Sequence, residues 1–141
     1  MSDDALPKLS LPPISPAAEG PLYEQIVRGI KHEIGEGRLC PGRPLPSFRA
    51  LAEDLLVSLI TVKRAYEELE REGLIYRKQG LGTFVSPQGT DRVRKARTER
   101  AEELIREAVK EAKDAGLSLT KINKLIQQIL KEQPKEMRKS A

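Results

Sequence analysis

The chain has 141 residues, 38% hydrophobic and 33% charged, with no tryptophan and a formal net charge of +4; that fits one modest domain with an appendage, in a polar, aromatic-poor globular class. Its single cysteine, Cys40, excludes an intramolecular disulfide, and no apolar run is long enough to span a bilayer. Met1-Ser2-Asp3-Asp4 lacks the basic start and apolar stretch of a signal peptide, so a cytoplasmic protein with no membrane partner is expected.

Residues 1–20 carry four prolines and no helical or strand periodicity, and read as a flexible Pro-rich arm. From Pro21 the pattern changes. Leu22, Ile26, Ile30 and Ile34 recur every four residues, with Tyr23 and Val27 widening the stripe, which predicts an amphipathic helix that stops at Gly35 or Gly37. After the turn Cys40-Pro41-Gly42, Ser47 stands at an N-cap position before a short second helix with Leu51, Ala52 and Leu55 on one face. A third helix opens near Ser58, buries Val62, Ala65, Tyr66 and Leu69, and runs into Gly73. Two short helices with a tight break at Leu56-Val57 form a helix-turn-helix pattern. Leu74–Arg77 and Thr83–Val85, separated by the glycine-containing turn 78–82, then predict a hairpin, or wing.

Residues 87–92 read as a hinge, and 93–132 as two amphipathic helices. The first carries Leu104, Ile105, Ala108, Val109 and Ala112 on one face and ends at Gly116; the second carries Ile122, Leu125, Ile126, Ile129 and Leu130 and is capped by Ser118 or Thr120. Two helices cannot hide two such stripes from water, and the same pair from a second chain would, so these ten residues are the expected homodimer interface. Residues 133–141 read as a flexible tail. The fold class is therefore mainly α with a small β-wing, a winged helix-turn-helix followed by a two-helix dimerisation segment.

A helix-turn-helix sets the start of its second helix against base edges while flanking elements hold phosphates. Side chains suited to this are Ser58, Thr61, Lys63 and Arg64 at the start of the third helix, Ser47 and Arg49 at the second, and Lys78 and Gln79 beside Gly80 in the wing, where backbone can approach a narrow groove. Charge is unevenly spread: −2 over residues 1–20, +1 over 21–86 and +5 over 87–141. The nearly neutral middle makes the run Arg92, Arg94, Lys95, Arg97 and Arg100 a candidate phosphate-binding cluster, although cations are unfavourable at a helix start. A solvated helix start is the other reading of that run.

Pro21-Leu22-Tyr23-Glu24-Gln25-Ile26, Leu45–Ala52, Tyr66–Ile75 and Gly80–Val85 follow one another at the spacing of the signatures of the GntR family of bacterial regulators, which residues 21–86 resemble. The short two-helix tail resembles the family's YtrA branch. The resemblance implies DNA contacts by Arg49 from the second helix, by Ser58, Thr61 and Lys63 from the recognition helix, and by Gln79 and Gly80 at the wing tip. It also implies a double-stranded DNA operator as partner, repression, and often control of transporter genes. Three positions depart from the family pattern: Leu56 where glycine is usual at the break, Leu59-Ile60 where polar or basic residues are common, and Leu81 in the wing.

Leu59 and Ile60 have two readings. Either they touch thymine methyl groups, or they tuck against the protein and leave specificity to polar neighbours; the second is preferred. An apolar Leu59-Ile60 surface also fits a protein-interaction module of the same fold. The lone His32 has no cysteine or second histidine near it in sequence, and the glycines at 80 and 82 do not precede a helix, so no metal, cofactor or enzyme chemistry is expected. No residue identifies a small-molecule effector; one would act by changing the spacing of two winged domains through the hinge.

Overall fold

The computed structural model describes Leu9, Leu11, Ile14, Ser15 and residues 20–132. The tail at 133–141 and the first eight residues of the arm lie outside these. The elements in chain order are α1 (Leu22–Gly35), α2 (Phe48–Leu55), α3 (Leu59–Arg71), β1 (Ile75–Lys78), β2 (Gly82–Val85), α4 (Gly89–Asp114) and α5 (Leu119–Lys131). The chain divides after Arg97 into two units, and α4 contributes residues 89–97 to the first.

In the first unit, the four-residue repeat of α1 buries Ile26, Ile30 and Ile34 completely, against Leu51 of α2 and Val62, Ala65, Tyr66 and Leu69 of α3. Ser47 and Ser58 cap α2 and α3, their hydroxyls accepting from the N–H groups of Ala50 and Thr61 at 3.1 Å. Tyr66 ties the unit together: its hydroxyl donates to the Pro46 carbonyl at 2.8 Å and its ring meets Phe48 edge-on at 5.1 Å. Burial raises the Tyr66 phenol above its ordinary range, so it stays a donor. After α1, Glu33 accepts both Nε and Nη2 of Arg38 at 2.8 Å, a bidentate bond that holds its carboxyl below the usual range.

The wing pairs β1 and β2 antiparallel, Ile75 facing Val85 and Lys78 facing Gly82. The outer edge of β2 is covered by the stretch before α2: Gly42 N–H donates to Val85 O, Leu45 N–H to Thr83 O, and Val85 N–H to Arg43 O. That pairing fixes the base of the hairpin to the helical core and removes an open edge.

Two expectations are corrected here. The arm is not wholly free of the domain, because Leu9, Leu11 and Ile14 pack against the core. Gln25, buried on α1, holds the same segment: its carboxamide accepts from Ser15 N–H at 3.2 Å and donates to the carbonyls of Ser15 at 2.9 Å and Gly20 at 3.0 Å. Alternating apolar residues among prolines left no periodicity to signal this docking. Second, the hinge expected at 87–92 is mostly helix, since α4 begins at Gly89 and buries Gly89 and Val93. A Cβ on Gly89 would stand 3.1 Å from Val85 Cγ1 and 3.2 Å from Leu74 O, a tight fit that glycine avoids where the helix starts close to the core. Cys40, in the turn after α1, is exposed, with its thiol donating to Gly37 O.

In the second unit, the remainder of α4 and α5 are joined by a turn in which Gly116 has φ +90° and Ser118 caps α5 by accepting from Lys121 N–H. Ile122 is buried there, but Leu104, Ile105, Leu125, Ile126, Ile129 and Leu130 are all exposed. Among the described residues no helix is long and apolar enough to cross a membrane, and no group of His, Cys, Asp and Glu is placed to hold a metal ion.

Candidate nucleic-acid interface

The break between α2 and α3 sets up the site. Leu56 takes a left-handed conformation, φ 57° and ψ 46°, while Val57 N–H returns to Ala52 O. That is the helix-stopping geometry usually given to glycine. Here a leucine adopts it with its side chain 90% exposed, so the family's preference at this position has a backbone cause.

At the start of α3, Ser58 is both cap and neighbour of Thr61, their hydroxyls 2.8 Å apart. Both side chains are thus held by local bonds. Arg64, one turn on, lays its guanidinium over the Tyr23 ring at 4.0 Å, a cation–π contact with α1. Lys63 is exposed. Leu59 and Ile60 are not tucked against the protein: they are 42% and 77% exposed. The preferred reading of these two fails because the first turn of α3 projects beyond the core that begins at Val62.

Ser47, Arg49, Lys78, Gln79 and Gly80 are all exposed. A cleft of about 580 Å³ separates the start of α2 from the wing and is lined by Pro44, Ser47, Phe48, Arg77, Lys78, Gln79, Gly80 and Leu81, among others. It brings Ser47 together with the wing residues; Arg49 is not among its lining residues. Arg77, unremarked in the sequence, also lines it, its guanidinium 5.1 Å from the Phe48 ring and 3.8 Å from Glu70. The signal available was its place on β1, one residue before Lys78. At the tip, Gly80 has φ +80° and Gly82 φ +118°, with open space around both Cβ positions.

The basic run at the start of α4 is differently employed from the expectation. Arg94 Nε donates to Gly35 O at 2.9 Å, Arg92 Nη1 to Glu72 O at 3.4 Å, and Arg97 pairs with Glu36 at 3.4 Å and lies 3.3 Å from His32 Nδ1. These are the C-terminal ends of α1 and α3, where carbonyl groups concentrate negative potential. That explains how cations are tolerated at a helix start. Lys95 of the same run is exposed, and Arg100, in the second unit, pairs with Glu103 and Glu107. Gly35 makes room for the arrangement, since a Cβ there would lie 2.8 Å from Arg97 Cζ and 2.9 Å from Val93 Cγ1.

Three helices, a glycine-stopped hairpin and exposed side chains on the first turn of the third helix define a winged helix-turn-helix DNA-binding transcription regulator. Comparison with known proteins gives the family. The profile described as bacterial regulatory proteins, gntR family, matches residues 22–85. The HTH-type transcriptional repressor YtrA of Bacillus subtilis is 34% identical over 116 residues, spanning 82% of this chain and 89% of that protein. Among solved structures, a transcriptional regulator from Oenococcus oeni superposes with a TM-score of 0.72 at 29% identity, covering 83% of this chain and 97% of that one. YtrA from Sulfolobus acidocaldarius, a GntR-family transcription factor, gives 0.52 at 34% identity over 67% and 99%. The chain belongs to the GntR family. Relatives matched over this domain are named as transcriptional repressors and regulators.

Proposed function

We propose that the protein is a cytoplasmic homodimeric repressor that reads a two-fold symmetric operator. The observation that carries this is the second unit, whose two helices, among the described residues, leave seven large aliphatic side chains exposed beside a buried Ile122. A second copy presenting the same face would bury Leu104, Ile105, Ala108, Val109 and Ala112 against Ile122, Leu125, Ile126, Ile129 and Leu130. Burial of that kind contributes roughly 1.5–3 kcal/mol per large side chain, enough in sum to hold a dimer after association costs.

Each winged domain then sets the start of α3 in a major groove, one helical turn apart. Ser47, Arg49, Lys63 and Lys78 supply phosphate and base contacts, Ser58 and Thr61 fix the helix start, Arg64 braces α3 on Tyr23, and Gln79 and Gly80 approach the minor groove. Lys95 adds a phosphate contact; Arg92 and Arg94 act through the protein instead. Similarity to a protein named as a repressor supports the direction of control. Footprinting on a duplex selected from a randomised library tests this: the reading expects two protected half-sites related by a dyad. Protection of a single asymmetric site overturns it.

A further inference from the structure

We propose that Ile60, with Leu59 beside it, is a specificity-determining residue that reads the 5-methyl groups of thymines in the major groove. The inference rests on the operator-reading function above and assigns what that reading recognises.

The argument begins with what the first turns of α3 offer. Ser58 and Thr61, the polar side chains of the opening turn, are committed to each other and to the helix cap, with Oγ–Oγ1 at 2.8 Å and Thr61 N–H to Ser58 Oγ at 3.1 Å. Arg64 is stacked on Tyr23. Of the side chains from 59 to 64, those that remain exposed and unstacked are Leu59, Ile60 and Lys63. Ile60 is 77% exposed. Folding gives no reason for a β-branched aliphatic there, since it packs on little and has no helix-propensity advantage over a polar residue.

The recognition helix of a helix-turn-helix presents its N-terminal residues to base edges. On those edges the apolar group that distinguishes one base is the thymine methyl. Lys63 lies three residues beyond Ile60, on the same helical face. A cation there suits a phosphate or a guanine edge and does not suit an apolar protein partner, so the surface is matched to DNA rather than to a docking protein.

The test uses the full chain and a duplex selected by it from a randomised library, with each thymine replaced in turn by deoxyuridine, which removes the methyl and nothing else. The proposal expects wild-type affinity to fall about fourfold per methyl at one or two positions in each half-site, the size of one buried methyl's transfer free energy. Ile60→Ala should bind the thymine and uracil duplexes equally, and Ile60→Val should keep most of the discrimination. Both variants alter an exposed side chain, and an unchanged thermal midpoint verifies their fold. Indifference of the wild type to uracil at every position overturns the inference while leaving operator binding intact. So does an equal uracil penalty in Ile60→Ala, which would assign the methyl contact elsewhere. Failure to select any duplex would instead remove the operator-reading function itself.

Discussion

Leu56 carries a cost that its exposed side chain does not recover. A non-glycine residue in the left-handed region loses roughly 1–2 kcal/mol to Cβ crowding, partly offset because glycine loses more chain entropy on folding, about 0.5–1 kcal/mol. Leu56→Gly is therefore expected to stabilise the domain by about 0.5–1 kcal/mol, read as a higher urea midpoint at unchanged slope; a lower midpoint would mean that the leucine contributes something besides geometry. At this scale the sequence speaks clearly about caps. Ser47, Ser58 and Ser118 each precede an apolar repeat, and each caps its helix. It is silent about partners of long charged side chains. Nothing local reveals Tyr23, Glu72 O or Gly35 O as partners of Arg64, Arg92 and Arg94, the last two 20 and 59 residues away in sequence.

At the scale of elements, helices and wing follow from period and punctuation, and their observed bounds agree with the expected ones within a few residues. The two misread segments are those held by tertiary bonds. The arm has no period, yet the Gln25 carboxamide meets both backbone groups of Ser15 as a neighbouring strand would. Gln25→Leu is expected to cost about 1–3 kcal/mol, the penalty of leaving polar groups unpaired, and to make residues 9–15 sensitive to protease. Removal of residues 1–19 from that variant should then cost little more. If Gln25→Leu melts with the wild type, the arm is not a structural part of the domain. The start of α4 was misread for the complementary reason: Pro87 and Gly89 signal a break, but Gly89 serves close packing against Val85 and Leu74.

For the whole molecule, two apolar surfaces are exposed among the described residues: the first turn of α3 and, in the second unit, the stripe of α4 and α5. The amphipathic periods of both terminal helices made the second legible from sequence alone. The first was harder, because exposure of Ile60 depends on where the core stops. Taken together they predict that dimerisation and operator binding are one linked equilibrium, each stabilising the other by mass action. The most direct measurement is the mass of the protein–operator complex by sedimentation equilibrium on a single selected duplex. Two chains per duplex, adding twice the 15.8 kDa of the chain, are predicted, with Leu125→Glu abolishing the complex at concentrations where the wild type saturates it. One chain per duplex, or a Leu125→Glu complex as tight as the wild type's, would contradict the account.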